Sequence, residues 1–202
     1  MRIEPLDVKD AWVCSPDLHQ DDRGMFLEWF RADVLTAETG RRFGIQQANH
    51  SVSAKGVLRG IHYADVPPGQ AKLVYCPSGA VLDVVVDLRC GSPTFGRSDS
   101  IVLRAEEHKV IFVSEGLGHG FCALDDDSSV VYLVSAVYNP QTERTVNPLD
   151  PQLALPWPTG LGNLVLSAKD RDAPTLAEAQ SVGMLPDYGE CAAFYRRLGS
   201  ST

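Results

Sequence analysis

Along most of this chain apolar and polar residues alternate in short runs separated by turn residues, a period of two that predicts strands. Ile3 to Cys14 alternates weakly and predicts an edge strand. Asp21-Asp22-Arg23-Gly24 is turn chemistry, and Met25 to Phe30 after it predicts a strand with Phe26, Glu28 and Phe30 on one face. Asp33 to Thr39 predicts a short helix closed by Gly40. Ile45 to Val52 alternates again and sets Gln47, Asn49 and Ser51 on a common face. The Val- and Leu-rich run Ala80 to Leu88 predicts a buried strand, followed by a Gly91–Gly96 loop and a further strand from Ser100 to Arg104. Val110 to Val113 and His119 to Leu124 flank a turn at Gly116-Leu117-Gly118. Ser129 to Tyr138 is the longest alternating run, with Val130, Tyr132, Val134, Ala136 and Tyr138 on one side. Many short strands at this spacing predict an all-β antiparallel sandwich or barrel. Beyond Asn147 the texture changes to prolines and then two helical stretches, one opening on a Thr175 cap with Glu178 in its first turn. No repeat or second domain is visible, so residues 1–202 are read as one domain: a core over about 5–150, with 151–202 packing on it.

The segment from Gly56 to Lys72 organises the rest. Leu58-Arg59-Gly60-Ile61-His62, a Pro67-Pro68-Gly69 turn and Gln70-Ala71-Lys72 predict a hairpin that carries an imidazole, a guanidinium and an ammonium. Arg59 and His62 are three residues apart, so a regular strand points them to opposite faces; a β-bulge at Gly60 would bring both to one side. The faces predicted elsewhere pair Gln47 with Asn49, Gln70 with Lys72, His119 with Phe121 and Tyr132 with Tyr138. If these faces look inward, polar groups converge where a small barrel is otherwise filled by Val and Leu, and interior polar positions call for a functional reason. Taken singly each residue has a bland reading: a hydrogen-bonded histidine, a solvated lysine, a strand tyrosine with a wet hydroxyl, Asp170 as a helix cap, Arg23 in a turn ion pair.

Composition narrows the chemistry. With 18 Lys+Arg against 26 Asp+Glu the net charge is −8, so the chain is no nucleic-acid coat, and an anionic ligand needs a local cluster of cations. Five scattered cysteines without a Cys-x-x-Cys pair predict reduced thiols in the cytoplasm. No apolar run is long enough to span a bilayer, and Met1-Arg2-Ile3-Glu4 opens no signal peptide, so no membrane partner is expected. A barrel metal site needs a second histidine near the first, but Tyr63 and Ala64 follow His62 and the cation Lys72 lies where a carboxylate ligand is wanted. No nucleophile elbow, phosphate loop or dinucleotide fingerprint appears. Acid–base chemistry is what the residues leave.

The motifs Gln47-x-Asn49-x-Ser51, Leu58-Arg59-Gly60-Ile61-His62, Pro67-Pro68-x-Gln70-x-Lys72, Asp83-Val84-Val85-Val86-Asp87-x-Arg89, Gly116-x-Gly118-His119-Gly120-Phe121, Tyr138-Asn139-Pro140 and Ser167-x-Lys169-Asp170, in this order, resemble the dTDP-4-dehydrorhamnose 3,5-epimerase family over roughly residues 5 to 190. The resemblance implies a double-stranded β-helix, that is a cupin-like jelly roll, here with short C-terminal helices. It implies a homodimer exchanging N-terminal strands and a reaction without metal or coenzyme on dTDP-4-keto-6-deoxyhexoses. It also implies His62 as general base, Asp170 orienting it, Lys72 stabilising the enolate and Tyr132 as acid. His119 and Arg59 would contact sugar or diphosphate. Arg23, Phe26, Glu28, Gln47, Asn49, Tyr138 and Glu143 would hold the nucleotide and phosphates, some from the partner subunit. Lys169 stands where the family usually has Arg, which puts a bidentate contact there in question. Asp170-x-Asp172 leaves the register of the orienting carboxylate between two residues, and Asp170 is chosen. Relatives that invert only C3 or only C5 keep the same residues, and a non-catalytic sugar-nucleotide binder or a metal-dependent cupin are the other classes to separate.

Overall fold

The computed structural model describes residues 1–200; positions 201 and 202 of the single-domain reading lie outside the described residues. The strands are β1 (Arg2–Pro5), β2 (Ala11–Ser15), β3 (Leu18–Asp21), β4 (Gly24–Leu27), β5 (Gln47–Ser53), β6 (Leu58–Ala64), β7 (Lys72–Ser78), β8 (Ala80–Asp87), β9 (Ser98–Arg104), β10 (Val110–Val113), β11 (Leu117–Ala123), β12 (Ser128–Val134) and β13 (Glu143–Thr145). The helices are α1 (Ala32–Thr39), α2 (Ala168–Arg171), α3 (Leu176–Ser181) and α4 (Tyr188–Ser200). A six-stranded sheet runs β1-β2-β10-β7-β12-β5, and a five-stranded sheet runs β13-β6-β11-β8-β9. The two face each other as a jelly roll, and among the described residues no helix is long and apolar enough to cross a membrane.

The central strands β7, β8, β10 and β11 are covered on both faces, which explains their nearly continuous apolar runs. Between the sheets Val74, Val113 and Val130 from one meet Val81, Val85, Leu103 and Phe121 from the other. Val84, Val86, Ile61 and Tyr63 point the other way, where Val146 and, from the C-terminal segment, Leu153, Leu176 and Ala179 cover them. Each such fully buried aliphatic side chain contributes about 1.5–3 kcal/mol. The outer face of the six-stranded sheet packs Leu73, Val110 and Phe112 against Leu35 of α1 and Phe43. Arg89 is fully buried and pairs with Asp87 and Asp10, which anchors the end of β8 to the N-terminal hairpin.

Several predicted elements change on folding. Ile3 to Cys14 is two antiparallel strands, because the backbone turns through Asp7–Asp10 with Asp10 at φ 68°. The strand expected from Met25 to Phe30 ends at Leu27, so Phe26, Glu28 and Phe30 do not share one strand face. The expected 56–72 hairpin does not form: β6 and β7 lie in different sheets, and the Pro67-Pro68-Gly69 corner carries the chain from one sheet to the other. The longest alternating run stops at Val134, where Ser135 Oγ accepts the Ala71 N–H and the chain bends away. The turn before β11 is at Glu115–Gly116, with Leu117 and Gly118 already paired to Asp87 and Val86. By contrast α1 ends on left-handed Gly40, and α3 carries the full Thr175/Glu178 capping box.

The bulge at Gly60 is present. His119 pairs with His62 and Phe121 with Arg59, so Gly60 and Ile61 together face Gly120 alone. A Cβ at Gly60 would stand 2.6 Å from Gly120 Cα and 2.9 Å from His119 O, at a φ of +131° that side chains rarely adopt. Gly60→Ala is therefore expected to lower stability by about 2–4 kcal/mol in urea unfolding. An unchanged unfolding midpoint would show that the bulge tolerates a side chain.

Candidate active site

The inner faces of the two sheets part at one end around a cavity of about 490 Å³, a size that fits a small organic ligand. Its walls are Gln47, Asn49 and Ser51 of β5, Arg59 and His62 of β6, Gln70 and Lys72 at the start of β7, His119 and Phe121 of β11, and Tyr132 of β12. Tyr138, Glu143, Ser167, Lys169 and Asp170 complete the rim. Alternation puts the β5 and β11 side chains there; the Gly60 bulge puts Arg59 there together with His62.

Two histidine–carboxylate pairs stand side by side. His62 Nε2 meets Asp170 Oδ1 at 2.7 Å, and Asp170 is 3% exposed in the first turn of α2. Burial raises the Asp170 carboxyl, but bonds from His62, Ser167 and the Gly60 backbone outweigh it and hold the group below the ordinary carboxylate range. With Nε2 engaged by the carboxylate, Nδ1 is the ring nitrogen left to take a proton. Asp172, the other choice of register, is exposed at the end of α2. Across the ladder His119 Nε2 lies 2.8 Å and 3.0 Å from the two oxygens of fully buried Asp83. Sequence reading gave Asp83 no role, although an acid inside a valine-rich strand is a signal, since a buried charge requires a partner.

Lys72 is 8% exposed, and its Nζ donates to the His62 carbonyl at 3.3 Å. Burial pushes the ammonium down to about 8, against the smaller opposing fields of Glu143 and Asp83. Tyr132 faces Asn49 across the β5–β12 ladder, and burial, with a smaller contribution from Glu143, raises its phenol further. At the mouth Lys169 Nζ donates to Glu143 Oε1 at 2.8 Å. Gln47 Nε2 donates to Asn49 Oδ1 at 2.6 Å, and Gln47 Oε1 accepts the Tyr138 N–H at 2.9 Å. Among the described residues no group of three or more His, Cys, Asp or Glu is placed to hold a metal ion.

Three of the expected ligand residues are elsewhere. Arg23, Phe26 and Glu28 belong to the β3–β4 hairpin and the segment after it, outside this chain's cavity. Arg23 is paired with Asp21, Glu28 lies 3.6 Å from Arg31, and Phe26 is 65% exposed. Ser51, Gln70, Phe121 and Ser167 line the cavity without having been singled out as ligands; Ser167 caps α2, where its Oγ accepts the Asp170 N–H.

Comparison with known proteins identifies the family and the fold. Residues 5–178 match the family model described as dTDP-4-dehydrorhamnose 3,5-epimerase. The chain is similar to a dTDP-4-dehydrorhamnose 3,5-epimerase of Mycolicibacterium smegmatis, 52% identical over 98% of this chain and 97% of that one. It superposes on the rmlC epimerase of Mycobacterium tuberculosis with a TM-score of 0.96 at 47% identity, covering 98% of this chain and 100% of that one. It also superposes on ChmJ, a 3'-monoepimerase from Streptomyces bikiniensis in complex with dTDP-quinovose, with a TM-score of 0.93 at 44% identity, covering 98% and 99% of the two chains. A jelly roll with acid–base side chains gathered at its mouth, matched along nearly its whole length by these relatives, belongs to the dTDP-4-dehydrorhamnose 3,5-epimerase family of isomerases.

Proposed function

We propose that this enzyme epimerises dTDP-4-keto-6-deoxyhexoses at C3, C5 or both, by removing and returning a proton next to the C4 ketone. The observation that carries the reading is the convergence of His62, Lys72 and Tyr132 on one cavity. His62 Nδ1 takes the proton, the C–H electron pair moves into the enolate, and the negative charge collects on the ketone oxygen. The Lys72 ammonium, itself buried, stabilises that charge. Asp170 holds the imidazole and stabilises the imidazolium, as an orienting carboxylate does in a triad. The Tyr132 O–H then protonates the opposite face of the carbon and so inverts it; its raised pKa keeps the phenol neutral and able to donate. The ketone supplies the acidity of the C–H bond, so no coenzyme enters this scheme. His119, Arg59, Gln47, Asn49 and Tyr138 are assigned to the sugar, diphosphate and nucleotide.

Arg23, Phe26 and Glu28 fit the same scheme through a second copy. Their hairpin exposes Leu18, Met25 and Phe26, an apolar surface suited to burial against a partner. In a homodimer that exchanges N-terminal strands they would reach the partner's cavity. Sedimentation showing only monomer at assay concentrations would remove this part of the reading. The five free thiols suit a reducing cytoplasm.

Incubation with dTDP-4-keto-6-deoxyglucose in deuterated water, read by NMR, tests the whole. Label and inversion at C3 and C5 identify a 3,5-epimerase. Label or inversion at one carbon identifies a mono-epimerase, a reading favoured by the likeness to ChmJ. No label leaves a sugar-nucleotide binder. Tyr132→Phe is expected to reduce net inversion at least tenfold more than it reduces exchange, within the roughly 10²–10⁴-fold span of a general acid; equal losses would take the acid role from Tyr132.

A further inference from the structure

Lys72 is the first residue of β7, and the chain before it is the Pro67-Pro68-Gly69 corner rather than a strand. The end of a strand frays unless something holds it. Three hydrogen bonds tie this one to the two residues that follow β12. Ser135 Oγ accepts the Ala71 N–H at 2.8 Å, and the Ser135 N–H donates to the Ala71 carbonyl at 3.1 Å. Gln70 Nε2 donates to the Ala136 carbonyl at 2.9 Å. Ser135 is itself held, because its hydroxyl donates to Glu115 Oε1 at 3.2 Å and Glu115 is buried. The Glu115 carbonyl accepts from the Tyr195 hydroxyl of α4, which in turn accepts from Arg89 Nη1 at 3.2 Å. A Cβ at Gly69 would stand 2.6 Å from Glu115 Cβ, so the corner lies directly on that side chain.

We propose that Ser135, seated on Glu115, is a positioning residue for the reaction: it fixes the backbone at Ala71, and so the point from which the Lys72 ammonium reaches the ketone oxygen. This deepens the function proposed above and rests on it for its catalytic meaning. Two observations support the role. Neither Ser135 nor Glu115 lines the cavity, so any effect they have on the chemistry must pass through the residues they hold. The bond that the Lys72 ammonium makes, to the His62 carbonyl, is long at 3.3 Å, so its place depends on where its backbone starts. A displacement of about 1 Å at a group that stabilises developing charge can cost about 10²-fold in rate.

Ser135→Ala removes the acceptor of the Ala71 N–H, and Ser135→Thr keeps it. Assayed with dTDP-4-keto-6-deoxyglucose, Ser135→Ala is expected to lose about ten- to hundredfold in kcat while KM and dTDP affinity stay within about twofold. Ser135→Thr should recover most of that loss. The Lys72 pKa, followed by NMR of the side-chain Cε–H resonances, should climb from about 8 toward 10.5 in Ser135→Ala, because a loosened strand start lets water reach the ammonium. In Ser135→Thr it should stay near 8. One measurement needs no variant and holds even if Ser135→Ala does not fold: in the unaltered protein the Ala71 amide should exchange with solvent as slowly as the amides of β7. An unchanged kcat, a rise in KM alone, an unmoved Lys72 pKa, no recovery in Ser135→Thr, or fast exchange at Ala71 would each overturn the role of Ser135. If the unaltered enzyme epimerises nothing, the function proposal fails by itself, and the Lys72 pKa and the Ala71 exchange still decide this one.

Discussion

Replacing His62 with asparagine is expected to slow deuterium exchange at the reacting carbon by roughly 10²–10⁴-fold, the range of a well-placed general base. Asparagine is the informative choice because Asp170 is almost wholly buried. Alanine would leave that carboxylate without its 2.7 Å partner, and an unsatisfied buried acceptor costs about 1–3 kcal/mol, so lost activity and lost fold would mix. The asparagine amide can still donate toward Asp170 but has no basic nitrogen. A variant with a native-like melt and exchange within tenfold of the unaltered enzyme would take the base role from His62. Exchange is the right readout, because it reports proton removal whether or not the carbon is finally inverted.

Lys72 carries the second large effect, and it acts in opposite directions on rate and stability. Its ammonium, brought to about 8 by burial, must be charged to stabilise the enolate. The alkaline limb of kcat/KM is therefore expected to fall through pH about 8, reaching about a tenth of its plateau one unit higher. Lys72→Met should lower the rate by about 10²–10³-fold, the loss typical of one oxyanion donor. For stability, the folded pKa lies below the 10.5 of the unfolded chain, so between about 8 and 10.5 the unfolded state binds more protons. Stability then rises with pH across that window and is lower by a few kcal/mol below it. Lys72→Met at neutral pH should accordingly melt higher than the unaltered protein while losing activity. A rate flat beyond pH about 9, or a Met variant that melts lower, would mean that Lys72 is neither desolvated nor used as described.

Much of the fold was legible because local pattern and final environment agree. The valines of β8 predicted a buried strand, and it is buried, with both of its faces covered. The alternation of β5 predicted Gln47, Asn49 and Ser51 together, and they share one wall of the cavity. Caps are local chemistry, which is why Gly40 and Thr175 were readable. The 56–72 hairpin failed for the opposite reason: a tight turn between two strands shows that the chain reverses, not whether the second strand joins the same sheet. Asp83 was passed over because its partner is His119, 36 residues away, and no spacing rule links them. The choice between Asp170 and Asp172 rested on the motif, while burial and the bond to His62 come from the way α2 lies on β6.

By itself the sequence determined the all-β class, which polar residues share a strand face and, through its ordered motifs, the family. Only the tertiary structure decided which sheet each strand joins, that Arg59 and His62 share one face across the Gly60 bulge, that Arg23, Phe26 and Glu28 lie off this chain's own cavity, and which carboxylate meets each histidine. The reason is range. Alternation, turns and caps are written within a few residues, whereas sheet membership, a bulge's register and the partner of a buried charge depend on segments brought together from up to 108 positions apart, as His62 and Asp170 are.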